Sequence, residues 1–192
     1  MPIAQWSEHS THNRQVAGSS PARRTLTNHN TLNKNTMGLD QYLYRETHVV
    51  NYEDDMRVEL IINDEKLNYI DPTKIYSIKE EVGYWRKSNQ IHGWFVNNVQ
   101  GGEDDCGTYP VSTEQLRELY DVCLQAYNDP DKAPDLLPVT PGFFFGGYGY
   151  EENYFNGIKS TIEILESIFE TSEILESGHE YIPGDFYYGS SW

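Results

Sequence analysis

The sequence predicts an α+β domain: a small, mainly antiparallel sheet with about three packed helices, built from residues 37–192 as a single unit. Three observations lead there. Period-two alternation marks a strand at Gly38–Arg45, and Asp185–Trp192 closes the stretch as another. Helical periods lie between them. Strands and helices do not alternate regularly enough for a doubly wound parallel sheet.

Taken in order, Leu39, Gln41 and Leu43 fall on one side of the first strand, and Tyr42 and Tyr44 on the other. Asn51 to Asp55 is polar and reads as a loop. Residues 57–62 alternate weakly and turn at Asn63-Asp64, which predicts a second strand. Asp71-Pro72 is a breaker. Ile75 to Val99 reads as the central helix with its entry: Val82, Trp85, Asn89, His92 and Val96 recur at 3-4-3-4 spacing, and Tyr84, Ser88, Ile91 and Phe95 form the neighbouring row. Two polar side chains, Asn89 and His92, therefore point where apolar ones belong. Residues 100–110 carry three glycines, a proline and consecutive acids, which predicts a loop.

Ser112-Thr113-Glu114-Gln115 is a capping box. The helix after it turns Leu116, Leu119, Val122 or Cys123, and Ala126 or Tyr127 inward, and Asn128-Asp129-Pro130 ends it. Residues 129–141 hold four prolines and read as an irregular connection. Gly142–Gly147 reads as a short aromatic strand, and Tyr154, Ile158, Ile162, Leu165 and Phe169 mark a long final helix.

Charge narrows the function classes. The 192 residues carry 14 Lys and Arg against 30 Asp and Glu. The first 36 hold four of the basic residues and one acid, so residues 37–192 sit at −19. That balance argues against binding nucleic acid through phosphates and against an anionic membrane surface. All 15 Tyr lie after residue 36, enough aromatic content to bury a core. Cys106 and Cys123 fit a reducing compartment or one disulfide and have no metal-site spacing. Residues 1–36 read as a disordered leader without an apolar signal core. Ala4-Gln5-Trp6 and Gly18-Ser19-Ser20-Pro21 back-translate to GCTCAGTGG and GGTTCGAGTCC, which resemble the D-arm and T-arm of a tRNA gene. The expectation is a start at Met37.

Chemistry concentrates on Trp85, Arg86, Asn89 and His92 with Asp104, Asp105 and Cys106 in the following loop. A carboxylate can orient a histidine, and a histidine can carry a proton or activate a thiol. Set against this, Asn89 and His92 tie the helix to the loop as satisfied core polars; that bland reading is preferred. Trp94 falls outside the two buried rows and is a candidate partner anchor with Tyr148 and Tyr150; the bland reading packs it under a neighbouring segment. Gly93 costs about 1 kcal/mol in a helix interior, which predicts a close approach there. Gly146-Gly147-Tyr148-Gly149 precedes a helix as a phosphate loop does, but no Lys-Ser/Thr follows it. Glu103, Asp104 and Asp105 lack the alternate spacing of a calcium loop. No metal and no cofactor are expected.

Met37-Gly38-Leu39-Asp40, Glu81-Val82-Gly83-Tyr84-Trp85-Arg86-Lys87, Asn89 with Ile91-His92, and Trp94-Phe95-Val96 together resemble a family of small proteins of phages and prophage-bearing bacteria. The resemblance continues through Asp105-Cys106, Leu136-Leu137-Pro138, Gly142–Gly146 and Ser190-Ser191-Trp192, and covers nearly all of 37–192. Gly146–Tyr150 departs from the more acidic segment expected there. The resemblance implies an accessory, non-structural phage protein of the bacterial host cytoplasm. With the acidic surface, it gives the expected function: binding a host protein, in takeover or counter-defence. The alternative is a small enzyme or ligand-binding module using the Trp85–Cys106 constellation.

Overall fold

The computed structural model describes residues 38–49, 58–142, 144–178 and 180–192. The leader expected over 1–36 lies outside them, as do Asn51–Asp55 and Arg57. Strand β1, Asp40–His48, is followed by a two-residue hairpin, β2 Ile61–Ile62 and β3 Glu65–Lys66. Then come β4 Ser77–Arg86, helix α1 Asn89–Asn98, β5 Thr108–Val111 and α2 Thr113–Asn128. A one-turn helix α3 Ala133–Leu136, the long α4 Glu152–Phe169, a small hairpin β6 Glu173–Ile174 with β7 Glu180–Tyr181, and β8 Asp185–Ser191 complete the order. The main sheet runs β4-β1-β8-β5, antiparallel throughout. The α+β expectation holds.

The alternation in β1 sorts its side chains as the sequence predicts. Leu39, Gln41 and Leu43 are buried, while Tyr42 and Tyr44 are half-buried on the opposite face. The buried face carries Leu43, Trp85, Phe186 and Tyr188, with α1 and α4 against it. Phe95 of α1 stacks on Tyr188 with ring centroids 3.8 Å apart. In α4, Tyr154, Ile158, Ile162 and Leu165 point inward.

The long central helix is corrected. Residues 77–86 form a strand, and the helix begins only at Asn89. Lys87 sits at φ 58, a left-handed conformation that ends any regular element. Upstream of it, the backbone of β4 is spent on β1, from Arg86 opposite Asp40 to Ser77 opposite His48. Trp85 is buried because it alternates with Tyr84 across the pleat, not because it lies one turn from Asn89.

Four smaller expectations also change. Residues 108–110, read as the end of a loop, belong with Val111 to edge strand β5, where Pro110 forfeits no central ladder bond. The 129–141 connection is partly helical, with a 3-10 turn at Pro130–Lys132 and α3. Of the strand expected over Gly142–Gly147, Phe143 lies outside the described residues and Phe144–Gly147 is not strand: the Phe145 N–H donates to the Gly142 carbonyl at 3.2 Å and Gly146 sits at φ 101. Among the described residues of 57–62, Ile61–Ile62 is the strand; Asn63 and Asp64 make the turn, both at positive φ.

The capping box is complete. Ser112 Oγ accepts from the Gln115 N–H at 3.1 Å, and Gln115 Oε1 accepts from the Ser112 N–H at 2.9 Å. Ser88, the N-cap of α1, makes no such bond. Ser112→Ala should therefore cost about 1 kcal/mol in urea unfolding, while Ser88→Ala should leave the midpoint where it is. Equal losses would show that α1 is capped in solution after all.

Candidate functional site

Asn89 and His92 stand three residues apart on α1, so they share a face, and that face turns into the protein. His92 is fully buried. Its Nε2 lies 2.9 Å from Asp104 Oδ2, and its Nδ1 lies 2.8 Å from the Tyr188 hydroxyl. The other Asp104 oxygen accepts from Trp192 Nε1 at 3.2 Å. Phe145 meets the imidazole edge to face, centroids 5.0 Å apart. Burial pushes the Tyr188 phenol well above its usual range, and the Asp104 carboxylate adds to the shift. Tyr188 is thus a neutral phenol, and His92 bridges it to the Asp104 carboxylate, the direction of each bond following the imidazole tautomer.

Gln41 extends the group: its Oε1 accepts from the Tyr188 hydroxyl at 3.3 Å, while its buried Nε2 has no partner among the described residues.

Asn89 is equally occupied. Its Nδ2 donates to the carbonyls of Phe145, 3.2 Å, and Gly147, 2.8 Å, and its Oδ1 accepts from the Thr140 N–H at 3.1 Å. One side chain thereby pins both the 137–141 segment and the glycine loop to α1. The expected close approach at Gly93 is present: a Cβ there would run into Thr140 Oγ1.

The other candidates lie elsewhere. Trp85 is buried and donates its indole N–H to Thr161 Oγ1 at 2.9 Å. Arg86 grips Asp40 with Nη1 at 2.7 and 3.0 Å from the two oxygens. Both line a cleft of about 440 Å³ against α4. His92 and Asp104 instead border a cleft of about 470 Å³ walled by Val96, Pro141, Phe144, Phe145 and Trp192. Asp105 is turned away, holding the Gly107 N–H at 2.8 Å and the Tyr109 hydroxyl at 2.9 Å, bonds that draw its carboxyl below the ordinary range. Cys106 is exposed and unoxidised, and among the described residues no hydrogen bond joins it to His92. Cys123 is buried in apolar surroundings that push its thiol up. The structure thus pairs His92 with Asp104 but splits the rest of the constellation.

Trp94 is buried beside Phe95, so the anchor reading for it falls. Tyr148 and Tyr150 are exposed. Sequence reasoning missed Tyr188, Gln41 and Thr140 as partners of the buried polars. Parity along β1 and β8 was the available signal for the first two. Among the described residues, no group of three or more His, Cys, Asp or Glu is placed to hold a metal ion, and no helix is long and apolar enough to cross a membrane.

No protein-family model, curated protein or solved structure matches the chain.

Proposed function

We propose that the protein acts by binding rather than by turnover, as a phage or prophage accessory protein that engages a basic host protein in the bacterial cytoplasm. The observation that carries this reading is the face of the sheet opposite α1 and α4. Tyr42, Tyr44, Tyr84 and Tyr187 stand half-buried there, Tyr42 and Tyr44 stacked at 5.9 Å and Tyr42 against Tyr84 at 5.5 Å. Tyrosine gives large contact area at low entropic cost, which suits it to interfaces. Residues 37–192 carry a formal charge of −19, and a protein of that charge steers and orients a cationic partner. On the catalytic side, both ring nitrogens of His92 are taken inside the protein.

The test is capture of host proteins on the immobilised full chain at rising salt. A basic protein retained at low salt, released as salt rises, and lost when Tyr44 and Tyr187 are both changed to Ser supports the reading. Retention that ignores both salt and the two tyrosines overturns it.

A second reading, capture of a small ligand, rests on the 470 Å³ cleft. Its size suits a small molecule, its walls are aromatic, and Asp104, 24% exposed, supplies one carboxylate. An ammonium-bearing aromatic compound is the chemistry that fits.

A further inference from the structure

Phosphate recognition was set aside on sequence because no Lys-Ser/Thr follows Gly146-Gly147-Tyr148-Gly149. The fold supplies that pair from another part of the chain. Lys87-Ser88 lies directly under the glycine loop: a Cβ on Gly146 would stand 3.0 Å from both Cβ and the carbonyl oxygen of Lys87. We propose that the 440 Å³ cleft between the start of α1 and the side of α4 binds the phosphate group of a small hydroxylated phosphomonoester.

Two independent observations point to a ligand. The first is Ser88. It is 8% exposed, it lines the cleft, and among the described residues its hydroxyl makes no hydrogen bond. A buried N-cap serine ordinarily turns its oxygen to its own helix. Here the amide N–H groups of Asn89 and Gln90 are also left without an acceptor among the described residues. A hydroxyl and two amides at the positive end of a ten-residue helix are the donors a phosphate takes.

The second is Lys87. Acids outnumber bases almost three to one over 37–192, and seven of the nine described Lys and Arg side chains sit in ion pairs with carboxylates. Lys79 lies over the Tyr44 ring. Lys87 is exposed at the cleft mouth with no carboxylate within ion-pair distance among the described residues. Its neighbour Arg86 is held on Asp40, so Lys87 supplies the net positive charge. Glu151 borders the adjoining smaller cleft and limits how much anionic charge the site tolerates. Across from Lys87, α4 presents Asn153, Asn156 and Ser160, a polar row suited to hydroxyls on whatever carries the phosphate. The cleft is held open in advance, since Asn89 fixes the glycine loop. Gly157 keeps α4 close to Ser88, where a Cβ would stand 2.8 Å from the hydroxyl.

The experiment titrates the full chain at constant ionic strength with inorganic phosphate, ribose 5-phosphate and ribose, following the backbone amides of Asn89 and Gln90 by NMR. Both phosphate probes should saturate with Kd below about 1 mM, and ribose should not. Lys87→Asn, which suits a left-handed backbone, should weaken binding about tenfold or more. Ser88→Ala should weaken it several-fold, and Lys132→Asn should leave it unchanged. Tighter binding of ribose 5-phosphate than of phosphate supports the phosphomonoester. Absence of saturation, equal affinity in Lys87→Asn, equal binding of ribose, or phosphate binding at least as tightly as the ester overturns the proposal.

Discussion

His92→Ala should lower the stability of the domain by about 4 kcal/mol, a fall in Tm on the order of 10 °C. The substitution opens a cavity between Phe145 and Tyr188. It also strips a partner from the buried Tyr188 hydroxyl and from Asp104 together. The unpaired groups supply much of the loss, because a buried polar atom without a partner forfeits its hydration with nothing in return. Tyr188→Phe separates the contributions. It keeps the stacked ring over Phe95 and removes only the hydroxyl, so about 1–2 kcal/mol should go. Thermal and urea unfolding of both variants make the comparison. If His92→Ala melts with the parent protein while a binding activity disappears, the histidine serves a ligand, and the internal network described here is not what holds the domain together.

Gly93→Ala should cost about 2–3 kcal/mol, with the opposite sign to the usual effect. Replacing glycine by alanine inside an exposed helix stabilises by about 1 kcal/mol. At Gly93 the new methyl would collide with Thr140 Oγ1, on a residue whose N–H is already fixed to Asn89. The 137–141 segment must shift or break that bond. In the Thr140→Ala background the colliding oxygen is gone, and most of the cost should vanish. A double-mutant cycle measured by urea unfolding reads this directly. Additive losses in the double variant would place the strain somewhere other than Thr140.

The contact at Gly93 was legible because a glycine in a strong helical pattern has a local cost that something must offset. The burial of Asn89 and His92 was legible for a similar reason: polar residues interrupt an apolar row. Asp104 was within reach because it follows His92 by twelve residues, on the loop that leaves α1. Tyr188 was not, since it lies 96 residues away on a strand whose neighbours only the fold decides. The helix drawn through residues 80–96 shows why local pattern misleads. Val82, Trp85 and Asn89 satisfy a helical period by coincidence, and nothing about a lysine announces the left-handed conformation at Lys87 that separates strand from helix. The strand expected over Gly142–Gly147 failed in the other direction at Phe144–Gly147. Its aromatic composition fits a strand, but the carbonyls of Phe145 and Gly147 are claimed by Asn89 rather than by a ladder. The same break at Lys87 parts Trp85 and Arg86 from His92 and puts the two halves of the constellation in separate clefts.

Strand β8 lies between β1 and β5, so the middle of the sheet is completed by residues 185–191. The hydrogen bond from Tyr188 to Gln41 spans 147 positions of the chain. During synthesis, β1 leaves the ribosome long before its inner neighbour exists. Until then, its ladder groups on that side and the apolar residues Leu39 and Leu43 have only β4 and the helices for company. Contacts of such long range slow the search for the native state. Until residues 185–191 emerge, the edge of β1 that β8 covers has no partner strand, and an open edge of that kind is what chaperones exist to shield.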